Sequence, residues 1–281
     1  MTRRQIVRLS VVAAVLAAAF AVWLWVLGPD PMDRLWLGLP AVAHAGGDAA
    51  AGAAKSQACE ACHVVVTGDT PQLAGQRETY IVKQLKAFKA GDRKHPVMNA
   101  ITSVLSDEDM ANLAAAWNKR SPTDTTVPPN VAAAQKTKMA FPKDFPKGFV
   151  LYRTVAKPDG VTVAKQYINN VGFAAVKAGK DKLPDGTIIL VENFSKKPGA
   201  AKDSLETDAI KAYEGMEARA GWDKGFPELL MNHDWNYAVF GADKAVKSEI
   251  NQAICLSCHI PAASKDYVFT LEHIQGKAKG K

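Results

Sequence analysis

The chain has 281 residues, 48% hydrophobic and 22% charged, which is enough apolar material for a buried core and excludes a disordered tail. Its formal net charge of +7 is spread along the sequence without a block of like charges. That balance argues against a nucleic-acid reader and for docking to an acidic partner or an anionic surface. The 4 cysteines are too few and too clustered to build a disulfide scaffold.

Taken in chain order, the first feature is an apolar run from Leu9 to Gly28 broken only by Ser10. About 20 helical residues reach about 30 Å, the thickness of a bilayer core. Arg3, Arg4 and Arg8 precede the run, so the positive-inside rule keeps that end cytoplasmic and exports the rest of the chain. Trp23 and Trp25 sit where amphipathic rings favour the outer interface. Ala43-His44-Ala45 before Gly46 is a competing A-x-A-like processing site. Residues 1–45 are therefore expected to be a transmembrane signal anchor in the inner membrane or a cleaved signal peptide. Either reading places the remainder in the periplasm, anchored in the first case and soluble after cleavage near Ala45 in the second.

Residues 46–119 read as a compact all-α segment. Tyr80, Gln84, Leu85 and Phe88 keep helical spacing and are closed by Gly91. Ser106 with Asp109 three positions on is a capping-box variant, followed by an apolar stripe of Met110, Leu113, Ala114 and Trp117. From 120 to 140 the periodicity fades. Pro122, Pro128 and Pro129, with Pro142 and Pro146 just beyond, predict a semi-rigid connector.

The final part, 141–281, changes character. Strands are expected over 149–155, 161–168, 187–194, 213–219 and 235–240, with turns at Pro158-Asp159-Gly160 and Pro184-Asp185-Gly186 and a short helix over 171–178. No period of 20–50 residues repeats, which excludes a solenoid. The fold class expected is multidomain: an all-α domain, then an α+β domain with a mainly antiparallel sheet.

Cys59-Glu60-Ala61-Cys62-His63 and Cys255-Leu256-Ser257-Cys258-His259 are both C-x-x-C-H. Cysteines three apart share a helical face, where two sulfurs can take the two vinyl groups of one haem, and the next His falls under the iron. A redox dithiol needs no such His, and a shared Cys₄ zinc site would leave both idle. Two covalent c-type haems are expected, with His63 and His259 as proximal ligands.

From Ala49 to Lys119 the segment resembles the short periplasmic class I cytochromes c. The residues that carry this are Pro71-Gln-Leu-Ala-Gly-Gln76, Tyr80, Gln84-Leu85, Phe88-Lys-Ala-Gly91, Met98 and Leu105-Ser-Asp-Glu-Asp109. The resemblance implies that Pro71 supplies the carbonyl orienting His63, and that Met98, expected in a loop between helices, is the sixth ligand. His–Met ligation closes that iron and makes it an electron relay.

From about Phe141 to Ile274 the sequence resembles the cytochrome P-460 family, which includes the gas-binding cytochromes c′-beta. The matching residues are Phe145-Pro-Lys-Gly-Phe149, Pro184-Asp-Gly-Thr187 with its strand, Trp235-Asn-Tyr-Ala-Val-Phe240, and Asp266-Tyr-Val-Phe-Thr270 after the second motif. This implies His259 as the sole protein ligand, an open distal pocket, and a homodimer through the domain. Hydroxylamine-oxidising members carry a crosslinking lysine on the strand after Pro-Asp-Gly-Thr; here that position is Val191, followed by Glu192. The uncrosslinked relatives bind nitric oxide or carbon monoxide on a Phe-lined face, for which Phe149, Phe173 and Phe194 are the candidates. Glu192 and Glu217 are the acids available for proton transfer. Met216, Met231, His233 and His273 are the other donors that could reach the second iron. The function expected is an exchange of electrons between the first haem and a second that binds a small diatomic or nitrogenous ligand. An oxidoreductase acting on hydroxylamine or nitric oxide, a sensor without turnover and a pure electron carrier stay open.

Overall fold

A computed structural model describes residues 46–64 and 70–280. The apolar run 9–28 and the processing site 43–45 lie outside the described residues, among which no helix is long and apolar enough to cross a membrane.

Four helices make the first half. Helix α1 (Ala49–His63) starts at Asp48, whose carboxylate accepts from Ala50 N and Ala51 N, and ends in the first C-x-x-C-H motif. Helix α2 (Glu78–Ala90) buries Ile81, Leu85 and Phe88 and stops at Gly91, whose φ of 80° makes the left-handed turn that ends it. Helix α3 (Pro96–Ser103) carries Met98, which corrects the loop expected there. Pro96 stands at the first turn, where its missing N–H costs nothing, and the His95 side chain caps Met98 N at 3.3 Å. Helix α4 (Asp107–Lys119) has the full reciprocal box between Ser106 and Asp109 and buries Met110, Leu113 and Trp117. It crosses α1 closely.

Removing that cap with Ser106→Ala should cost about 1 kcal/mol, read from the denaturation midpoint. The Lys55 ammonium and Ser106 hold the Asp109 carboxyl below its ordinary value of 3.8. A carboxyl pKa lowered by folding contributes stability above the unfolded value, lost as pH falls through the folded one. The Asp109 contribution should thus disappear on acidification below about pH 4, and Asp109→Asn should flatten that part of the stability profile.

The segment expected to be a semi-rigid connector carries a packed helix. Helix α5 (Pro129–Ala134) lies within it, and Val131 and Ala134 are fully buried. Two prolines at a helix start are compatible with one short, stationary turn.

The second half is a five-stranded antiparallel sheet in the order β1-β2-β3-β4-β5. The strands are β1 (Phe149–Ala156), β2 (Thr162–Asn169), β3 (Ile188–Lys196), β4 (Thr207–Ala218) and β5 (Trp235–Gly241). Helix α6 (Asn170–Lys177) follows β2 without a break, its N-terminus capped by Asn169. Helix α7 (Ala253–His259) holds the second motif, and helix α8 (Leu271–Ala278) follows a 3-10 segment, Ile260–Lys265.

The two sheet faces pack differently because side chains alternate with period 2. One face contributes Ile168, Ile189, Met216 and Tyr237 to a core shared with Leu256 of α7 and with Ala58 and Ala61 of α1. The other contributes Leu190, Tyr213 and Phe240 to a separate core under Met139 and Phe145. Because the first core spans both halves, Gly46–Lys281 forms one compact unit.

Candidate functional site: two matched cysteine–histidine centres

At the end of α1, Cys59, Cys62 and His63 share the last helical turn. His63 Nδ1 lies 2.7 Å from the Pro71 carbonyl oxygen. A carbonyl can only accept, so Nδ1 carries the proton and Nε2 presents its lone pair, the tautomer a metal needs. Burial pushes the imidazole below its ordinary pKa, against the opposing effect of that carbonyl. Burial also pushes the Cys59 thiol up to about 12, so as a free thiol it would be inert.

Met98 lines the same cavity as Cys59, Cys62 and His63, whose remaining walls include Leu73, Ile81 and Leu85. Trp117 Nε1 is buried in that wall with no oxygen or nitrogen acceptor, only the Cys59 sulfur beside it. An apolar slot with a His and a thioether on its walls, two thiols at one edge and one indole N–H donor fits a haem with its iron, vinyl groups and a carboxylate. Met110, by contrast, is fully buried on α4 and is core.

The second centre repeats the first in a different fold. His259 Nδ1 lies 2.7 Å from the Tyr267 carbonyl, eight residues on, the same separation as His63 to Pro71. The Tyr237 and Phe269 rings flank the imidazole at 4.6 and 4.9 Å. Burial lowers the His259 pKa and raises Cys255 to about 11. Asp266 and Tyr267 both hold positive φ, 52° and 61°. That backbone is fixed by Asp266, whose carboxylate accepts from Leu183 N at 2.8 Å and meets His233 Nδ1 at 3.1 Å. Asn232, fully buried, donates to the Leu256 carbonyl at 3.0 Å and the Tyr237 hydroxyl at 3.2 Å, tying α7 to β5.

On the sheet face toward α7, Gln166, Val191, Glu214 and Val239 stand directly opposite one another across four strands. Asn193 is 5% exposed and donates to Glu214 Oε1 at 3.1 Å. Asn193 Oδ1 and Gln166 Oε1 are buried with no partner, so this wall offers acceptors to something other than the protein. Burial dominates the lowered His259 pKa, with the Tyr267 carbonyl and then the Glu214 carboxylate opposing it, and Glu214 also meets Lys157 at 3.3 Å.

Several residues expected near the second iron lie elsewhere. Phe149 packs edge-on against Phe145 at 5.2 Å on the opposite face. Glu192 accepts from the Tyr167 hydroxyl at 2.8 Å there, and Phe194, in register with Val163, lies under the Lys165 ammonium at 4.7 Å. Glu217 is engaged by Arg219 Nε at 2.7 Å. The physical reason is parity: one step along a strand reverses the face. Phe173 packs on the α7 core and Val191 faces it, so these two stay on the α7 side. The residues that sequence reasoning missed are Gln166, Asn193 and Glu214; Asn193, two along β3 from Val191, carried a period-2 signal, whereas Gln166 and Glu214 meet Val191 only through strand register.

The comparisons with known proteins divide along the same line. Residues 142–270 match the family model described as Cytochrome P460. The chain is 41% identical over 103 residues to cytochrome c4 of Pseudomonas aeruginosa, covering 35% of this chain and 51% of that protein. It is 38% identical over 81 residues to cytochrome c-554(548) of Halomonas halodenitrificans, covering 26% of this chain and 98% of the relative. The thiosulfate dehydrogenase electron acceptor of Thiomonas intermedia is 30% identical over 145 residues, 47% of this chain and 67% of the relative. The chain spans about half the length of the cytochromes c4 it matches. It belongs to the c-type cytochromes and joins a cytochrome c segment to a Cytochrome P460 domain.

Proposed function

We propose that this is an exported dihaem cytochrome in which a His63/Met98 centre exchanges electrons with a His259 centre open to a small nitrogenous or diatomic ligand, nitric oxide being the type case. The observation that carries the reading is an asymmetry of donors. Met98 shares a cavity with His63. Around the second motif His233 is held by Asp266, Met231 is 39% exposed and His273 is exposed on α8, which leaves Met216 as the one named donor buried on the α7 side. Bound at these cysteines, each haem supplies one-electron redox chemistry.

The chain's own residues set the terms. Pro71 and Tyr267 hold the proximal imidazoles in the ligating tautomer. The thioether favours the reduced metal and raises the potential of the first centre. At the second, Asn193 and Gln166 offer buried acceptors, and Glu214, itself exposed and paired with Lys157, suits proton delivery to a ligand from solvent. Val191 in place of a crosslinking lysine favours reversible ligand binding over hydroxylamine oxidation.

The domain limits 46–119 and 141–281, the periplasmic location, membrane attachment through residues 9–28, an acidic redox partner for the +7 chain and a homodimer through the second domain belong to the same proposal. The test is optical titration of the dithionite-reduced protein with carbon monoxide, then nitric oxide. Half of the haem should respond. If neither haem responds, a side chain such as Met216, buried on the α7 face, closes the second iron and the protein is an electron carrier; if both respond, the Met98 assignment fails.

A further inference from the structure

The two cysteine–histidine motifs, almost two hundred residues apart in sequence, meet at one side chain. Asn251 Nδ2 donates to the Ala61 carbonyl at 2.8 Å and lies 3.8 Å from Cys62 Sγ in the first motif. Asn251 Oδ1 accepts from Ala253 N at 3.0 Å, and two residues further along the backbone stands Cys255, the first cysteine of the second motif. A continuous route therefore runs from Cys62 Sγ through the amide of Asn251 to Ala253, Ile254 and Cys255, with two gaps, of 3.8 and 3.0 Å, and bonds elsewhere. The surroundings fix it. The Met98 helix α3 packs on α7, and Ile260, the residue after His259, is buried in the core that includes Val97 and Met98. Gln135 Nε2 reaches the same Ala61 carbonyl at 2.7 Å but makes no hydrogen bond to Cys62.

We propose that Asn251 is the bridge through which single electrons pass between the two centres, so that the second centre is served from within the chain. The inference rests on the two-haem reading above. Each transfer moves one electron: one iron is oxidised by one unit, the other reduced by one, and no bond is made or broken. The amide's N–H side faces one cysteine and its oxygen accepts from the first residue of the helix that bears the other, and the one route serves transfer in either direction.

The experiment uses the full haem-loaded chain and follows equilibration between the haems optically after pulsed one-electron reduction. The variants are Asn251→Leu, Asn251→Asp and Gln135→Leu. Asn251→Asp keeps the oxygen that caps Ala253 and removes the N–H side, so it tests the bridge where the leucine variant folds poorly. Haem content and both midpoint potentials are measured alongside. The expected result is loss of the fast phase in both Asn251 variants and its retention in Gln135→Leu, with two haems per chain and the separation of the potentials unchanged. A fast phase that survives in the Asn251 variants, or that is lost equally in Gln135→Leu, overturns the bridge. One haem per chain in the wild type overturns the two-haem reading instead, and is told apart by haem content alone.

Discussion

Replacing Met98 by alanine will lower the potential of the first centre by a sizeable part of the roughly 0.8 V that axial ligands span, and will open that iron to carbon monoxide. The thioether is the group on the cavity wall that can complete a six-coordinate site with His63, and a soft sulfur ligand stabilises the reduced state. Met98 sits in the first turn of a helix capped by His95, so the truncation leaves the local backbone in place. Met110→Ala is the informative contrast. That side chain is fully buried on α4, and its loss should cost about 2–5 kcal/mol of stability with no change in potential. Redox titration and the thioether–iron band of the oxidised spectrum separate the two. A Met98→Ala protein with the wild-type potential and spectrum would place the sixth ligand elsewhere.

Gly52→Ala should be a strongly damaging single-carbon change in the helical half. Gly52 is buried where α1 crosses α4, and a Cβ built on it overlaps the Asn112 carbonyl group. The obstacle is backbone, which no rotamer change can clear, so the helices must move apart. Overpacking of this kind costs about 1–3 kcal/mol and occasionally more. The same helix carries Cys59, Cys62 and His63 at its far end, so its displacement should also reduce covalent haem yield. Denaturation midpoint and haem-to-protein ratio measure both effects. An unchanged midpoint would mean that the helices cross further apart than the structure has them.

Much of the fold was legible in the sequence because local chemistry is strong there. Ser106 and Asp109, Gly91, and the Pro-Asp-Gly turns fix ends of elements, and four of the five strands begin within a residue of expectation. Strand β4 starts at Thr207 and not near Tyr213, because its first half carries exposed Asp208 and Lys211 and has little apolar pattern to read. The packed helix α5 was hidden by its prolines, and its burial depends on partners from both halves. At the first site, the family resemblance paired His63 with Pro71. At the second, the strand bearing Val191 was placed, but which strand face α7 covers is a tertiary fact. Glu192 and Glu214 look alike in sequence; parity against Ile189 and Met216 puts only Glu214 toward α7.

The burial of Ile260 bears on how such a molecule can be taken apart. The residue directly after the second histidine is 8% exposed because it fills space beside the α3 helix, in a core whose other buried members come from the helical half. The two halves are thus not interchangeable cassettes. A version of the second half expressed alone would present a bare isoleucine next to its metal ligand, and a version of the first alone would lack one wall of its core. Any attempt to graft either half onto another cytochrome has to redesign that residue and its socket together.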